Sequence, residues 1–119
     1  MASITLMSAD VVRIVTLALD AASLRQRALA ANIANAGNAA YQRQSVSFEA
    51  RLRELASRSE LAGASTASLQ PRLVNDDAPA ALDQDVTALA GNALHLQALL
   101  KALNAELDLM GLAASDGRR

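Results

Sequence analysis

The stretch LAANIANAGNAAYQRQSVSFEA, residues 29–50, marks the point where a long alanine-rich helix pattern ends. Two asparagines, Asn32 and Asn35, stand in the last turn before Gly37 and Asn38. Asparagine costs a helix roughly 0.5–0.7 kcal/mol relative to alanine. Glycine and asparagine also tolerate the left-handed conformation that commonly ends helices. The stretch therefore predicts a helix stop, with two amide side chains held at the end of the helix.

The residues before this stop predict one long helix over residues 8–36. Ser8 is a suitable N-cap, and Asp10 suits the positive N-terminal end of a helix. Mostly apolar residues recur at alternating steps of three and four, which places them on one stripe, as in the seam of a coiled coil. The stripe comprises Val12, Val15, Leu19, Ala22, Gln26, Leu29, Ile33 and Ala36, and Gln26 interrupts it.

The C-terminal third predicts a second long helix, over residues 83–113, with the same spacing. Asp83 or Asp85 can cap its start, while Gly111 and Gly117 weaken its end. The predicted stripe comprises Val86, Leu89, Ala93, Leu96, Leu100, Leu103, Leu107 and Met110. Each helix also has an apolar flank: Leu17 and Leu24 in the first, Leu94 and Leu99 in the second. Because one helix pair cannot bury both stripes and flanks, we expect helices of other subunits to cover the flanks.

The segment between the two helices, residues 37–82, has a different composition. A short helix is predicted over residues 48–55, with Phe48, Leu52 and Leu55 on one side. The remainder is rich in Ser, Ala, Gly and Thr and contains Pro71 and Pro79, which is typical of extended or disordered chain. The predicted fold class is therefore all-α, with one domain over residues 1–119. Its two long terminal helices pair as a coiled coil and are joined by a long, largely extended or disordered middle segment.

The composition argues against several classes of partner. The formal net charge of the 119 residues is −1, and the basic residues between Arg25 and Arg58 are spread out without interleaved aromatics. We therefore expect no nucleic-acid partner. The longest uncharged stretches are about 15 residues, shorter than the ~20 apolar residues of a membrane-spanning helix, so no membrane insertion is expected. The absence of cysteine excludes disulfides and thiolate metal sites, and the N-terminus lacks the pattern of a Sec signal peptide.

Residues that could carry catalysis are few. His95 is the only histidine and has no second histidine or cysteine to share a metal, so a position on the helix flank explains it better. Asp76, Asp77, Asp83 and Asp85 suit a solvated loop and helix capping better than a weak cation site. No glycine-rich phosphate loop is present. We expect no enzymatic activity, no cofactor and no metal.

The motif Asn32-Ile33-Ala34-Asn35-Ala36 follows a long N-terminal helix and precedes Tyr41. It resembles the signature of the bacterial flagellar rod and hook proteins. In that family the pattern is Asn-Ile-Ala-Asn-Ala/Ser, a short polar stretch, Thr-Pro-Gly-Tyr and a basic residue. Tyr41 matches the tyrosine, Arg43 lies near the basic position, and Phe48-Glu49 resembles the Asp-Phe-Glu that follows.

The C-terminal region narrows this resemblance. Asn92-Ala93-Leu94, followed by Gln97-Ala98-Leu99, is similar to the end of the proximal-rod members of the family. The chain is also too short for the β-rich middle domains of distal-rod and hook proteins. It departs from the pattern in three places: Asn38-Ala39-Ala40 replaces Thr-Pro-Gly, which removes a rigid turn, Leu96 stands where tyrosine is common, and the stretch before Val86 is shortened.

The resemblance implies a structural component of the flagellar basal-body rod. Such subunits leave the cytoplasm through the flagellar type III apparatus and assemble in the periplasm, where paired terminal helices form a tube that transmits torque. The implied partners are other copies, other flagellar rod proteins, the MS-ring and its rod adaptor, and the export apparatus. The implied subunit interface comprises Asn32, Ile33, Ala34, Asn35, Ala36, Tyr41 and Phe48.

Two questions stay open on the residues alone. The amides of Asn32 and Asn35 can bond backbone groups at the helix end or on a neighbouring subunit, or they can merely fray the helix. The chain can also be interpreted as a small helical adaptor or export chaperone that binds a partner helix along its exposed seam.

Overall fold

A computed structural model describes residues 2–116, with side chains from residue 9 onward. The elements in chain order are α1 (Ala2–Ala34), β1 (Gln44–Ser47), α2 (Glu49–Ser57), α3 (Thr66–Leu69), β2 (Arg72–Asn75) and α4 (Leu82–Asp116). Helices α1 and α4 pack against each other, and β1 and β2 also contact α1. The result is an elongated molecule of 63 × 28 × 18 Å.

Helices α1 and α4 run antiparallel. Asp85, in the first turn of α4, pairs with Arg43, which follows the end of α1. Asn92, further along α4, bonds to Ala22 in the second half of α1. The rest of α4 therefore runs back along α1 toward its N-terminal end. Among residues 2–116, no helix has the length and apolar character needed to cross a bilayer.

The two long helices extend differently from the predicted ones. α1 begins at Ala2, so Ser8 lies inside the helix, and the Ser8 side chain is outside the described residues. α1 ends at Ala34, before the predicted Ala36. α4 continues through Gly111 to Asp116, because one glycine costs a long helix only about 1 kcal/mol. Gly117 lies outside the described residues.

α1 has two packed faces, whereas the sequence predicted one. The predicted stripe is buried or half-buried from Val12 to Ile33, and Ala36 is exposed. The second face carries Leu17 and Ala21, which form the hydrophobic core with Phe48, Leu55 and Leu69. The prediction that another subunit covers Leu17 is therefore wrong, because the middle segment of the same chain covers it.

The middle segment has regular structure, so the predicted extended or disordered connection is wrong and the fold is not purely all-α. β1 and β2 pair antiparallel, with Gln44 opposite Asn75 and Ser47 opposite Arg72. A helix, α2, occupies Glu49–Ser57, where the sequence predicted one over residues 48–55. The strands contribute backbone hydrogen bonds, while Phe48, Leu55 and Leu69 supply the large apolar side chains that close over α1.

The predicted stripe of α4 divides into two rows. Leu89, Leu96, Leu103 and Met110 are half-buried and lie on the same side of the helix as Asn92. Val86, Leu100 and Leu107 are 50%, 52% and 47% exposed, so their prediction as seam residues is wrong within this chain. The physical reason is that the buried Asp85 and Asn92 set which side of α4 faces α1. The side toward α1 comprises Asp85, Leu89, Asn92, Leu96, Leu99, Leu103, Glu106 and Met110.

Candidate subunit-contact site around the asparagine turn

The side chain of Asn32 holds β1 against the end of α1. Its Nδ2 donates to the Gln44 carbonyl oxygen at 2.8 Å, and its Oδ1 accepts from the Gln44 N–H at 3.1 Å. Asn32 is only 2% exposed. An amide that both donates to and accepts from one residue imitates a neighbouring strand, so it satisfies backbone groups that burial would otherwise leave unpaired. The amide of Asn32 is therefore used within the chain.

Asn35 has a different, local role. Its Nδ2 donates to the Ala31 carbonyl oxygen at 2.8 Å, which already accepts from the Asn35 N–H at 3.0 Å. The chain then leaves the helix through a turn in which Asn38 N–H donates to the Asn35 carbonyl oxygen, and Ala40 N–H donates to Asn38 Oδ1. Gly37 does not adopt a positive φ, so the predicted left-handed stop is not used. The Asn38 side chain thus closes an Asx turn at this point of the chain.

An ion pair joins Arg43, the residue before β1, to the start of α4. The Arg43 guanidinium makes two hydrogen bonds to the Asp85 carboxylate, at 2.5 and 3.0 Å. The two side chains are 16% and 9% exposed. These hydrogen bonds from Arg43 lower the pKa of Asp85 despite its burial, and those to Asp85 raise the pKa of Arg43. Asp85 therefore binds Arg43 next to β1, rather than capping α4 as the sequence predicted.

A second polar contact fixes α4 along α1. Asn92 Nδ2 donates to the Ala22 carbonyl oxygen at 2.8 Å and to Gln26 Oε1 at 2.7 Å. Asn92 is 7% exposed. Gln26, the interruption in the predicted stripe, is therefore the partner of Asn92. A buried polar pair of this kind favours one register of two helices, because any shift leaves an amide unpaired.

Sequence analysis did not identify Asp85, Asn92 and Gln26 as one group of fastening residues. A signal was present: Asp85 and Asn92 are polar residues seven positions apart on α4, and Gln26 breaks an otherwise apolar stripe on α1. What the spacing cannot show is which polar residue of one helix meets which of the other.

The structure separates the residues of the family-like motif into two sets. Asn32 and Phe48 are buried inside the chain. Ile33, Asn35 and Tyr41 are half-buried, while Ala34 and Ala36 are exposed. The second set is accessible to another molecule at the end of α1. The subunit interface itself stays a prediction.

An apolar row runs along one side of α4, beside the seam. We call Leu82, Val86, Leu100 and Leu107 the apolar edge; their exposures are 51%, 50%, 52% and 47%. Val86, Leu100 and Leu107 are spaced in multiples of seven, so they lie on one line along the helix. Ala88 lines a cavity of about 180 Å³ with Arg43, Ser45 and Val46 of the middle segment. Residues two apart in a helix point roughly 200° apart, so the apolar edge faces away from that segment.

The described residues offer no arrangement for metal chemistry. Within residues 2–116 no three His, Cys, Asp or Glu side chains are grouped as metal ligands. Asp77 Oδ1 lies 3.5 Å from Gln42 Nε2, and His95 is exposed on α4. No protein-family model matches the chain, and no curated protein matches it significantly.

Proposed function

We propose that the protein is a structural component of the bacterial flagellar basal-body rod, similar to the proximal-rod protein FlgB. The observation that carries the proposal is the site at the end of α1. There the motif Asn32–Ala36 turns the chain, Asn32 fixes the following strand, and the two long helices lie side by side. This arrangement accounts for the residues on which the sequence resemblance rests.

The proposed mechanism is assembly and torque transmission, without a chemical reaction. α1 and α4 pair as a coiled coil and pack with the helices of other subunits into the wall of a tube. The apolar edge supports this, since four large side chains about half exposed on one side of α4 suit burial against a neighbouring helix. The middle segment makes the outer contacts. The ion pair between Arg43 and Asp85 holds the start of α4 in place, and this contributes the stiffness that transmission of torque requires.

The proposed route and partners follow from the same family. The chain leaves the cytoplasm through the flagellar type III apparatus and joins the rod in the periplasm. There it contacts its own copies, other rod proteins, and the MS-ring with its rod adaptor. Neither a nucleic acid nor a lipid bilayer is among the proposed partners.

A second candidate function is favoured by one observation. A cleft of about 370 Å³, lined by Val11, Ile14, Val15, Leu61 and Ala62 among others, lies between α1 and the loop after α2. Such a cleft suits a single apolar side chain of a partner, as in a small helical adaptor or export chaperone. An adaptor forms a defined complex with one partner in the cytoplasm, whereas a rod subunit is recovered with basal bodies.

The test introduces a charge at Ile33, half-buried beside the two asparagines. Ile33→Asp should abolish swimming and remove the protein from purified basal bodies, because an unpaired charge in a packed contact costs several kcal/mol. Ala50→Asp is the matched control: it adds the same charge at an exposed position in the first turn of α2, where a carboxylate is favourable. Helix content of both variants is measured by circular dichroism. Normal swimming of a strain with folded Ile33→Asp protein would contradict the proposal.

A further inference from the structure

We draw no further inference here: the strongest candidate, the apolar cleft of about 370 Å³ that Val11, Ile14 and Leu61 line between α1 and the loop after α2, carries nothing more, because nothing in the structure shows what covers it.

Discussion

The same residue type has two different consequences at Asn32 and Asn35. Both side chains donate to a backbone carbonyl at 2.8 Å, but the carbonyl belongs to Gln44 in one case and to the preceding helical turn in the other. Asn32 also accepts from Gln44 and is almost fully buried. Within the chain, Asn32 therefore contributes more to stability than Asn35. The side chain of Asn35 is the one that can still hydrogen-bond to a neighbouring molecule.

Asn32→Ala should lower the free energy of unfolding by about 2–4 kcal/mol, because it leaves both the N–H and the carbonyl of Gln44 without a partner. Asn35→Ala is the matched control. It removes a side-chain bond to the Ala31 carbonyl oxygen, which still accepts from the backbone N–H of residue 35, so the change should stay within about 0.5 kcal/mol. Urea unfolding followed by circular dichroism measures both. Equal losses for the two variants would show that the contact between Asn32 and Gln44 is not formed in solution.

The ion pair between Arg43 and Asp85 predicts a pH dependence. Arg43 lowers the pKa of Asp85 below its ordinary value of 3.8. The pair's contribution to stability is therefore fully present above about pH 3.8 and lost as the pH falls through the lower pKa of the folded state. Arg43 stays charged over this range, because the guanidinium group of arginine is protonated at every pH below about 12. Asp85→Asn should cost on the order of 3 kcal/mol at pH 7, and the difference from the natural chain should shrink in acid.

The measurement is the urea midpoint of the natural chain and of Asp85→Asn from pH 7 to pH 2. Asp83→Asn serves as the control, since Asp83 is exposed in the same first turn of α4 and should lose less than about 1 kcal/mol. A gap between the natural chain and Asp85→Asn that does not change with pH would exclude the pair as its source.

At the scale of the elements, spacing was sufficient to predict the two long helices but not all of their faces. The stripe Val12–Ile33 was identified because apolar residues there recur at steps of three and four. The second face of α1 depends on Leu17, Ala21 and Ala28, and alanine is so frequent in this chain that its spacing carries little information. The exposed half of the predicted α4 stripe has a different origin, because the buried polar residues Asp85 and Asn92 set the orientation of the helix.

The strands of the middle segment could not be predicted from local composition. β1 and β2 are only four residues each, and α2, α3 and their loops separate them. Arg72–Asn75 is exposed at all four positions, so it lacks the alternation of apolar and polar residues that identifies a strand. Its pairing with Gln44–Ser47 is a long-range contact, and Asn32 places β1 for it.

The pairing of α1 with α4 gives a prediction at this scale. Asn92→Ala should destabilise the chain by about 1–3 kcal/mol, because it removes two hydrogen bonds and leaves Gln26 without its buried partner. Asn104→Ala changes the same residue type at an exposed position of the same helix and should have almost no effect. Urea unfolding distinguishes them. A loss for Asn104→Ala as large as that for Asn92→Ala would show that the contacts of Asn92 with Ala22 and Gln26 are not the source of its effect.

At the scale of the whole molecule, one side of the described chain is covered by the middle segment, and the opposite side is exposed. The middle segment covers one face of α1, and hydrogen bonds and ion pairs from Arg13, Arg25 and Arg43 tie that segment to the helices. The apolar edge of α4 is on the opposite side and has no such cover within residues 2–116. The contacts that stabilise the chain thus lie apart from the apolar edge, so that either surface can be changed without changing the other.

The last prediction uses this separation to test the proposed rod contact. Leu100→Gln with Leu107→Gln makes the apolar edge polar at two half-exposed positions, so the unfolding free energy should change by less than about 1 kcal/mol. Replacing each of these half-exposed leucines removes on the order of 1 kcal/mol of contact energy with a neighbouring helix. In a tube this loss is repeated at every subunit. The double variant should therefore be exported but depleted from basal bodies, as quantified by mass spectrometry of the periplasmic and basal-body fractions. Leu94→Gln with Leu112→Gln is the matched control, because these leucines are 68% and 62% exposed on another side of α4. If both double variants enter basal bodies at the natural level, the apolar edge is not the assembly surface; if both are depleted equally, assembly does not distinguish one side of α4 from another.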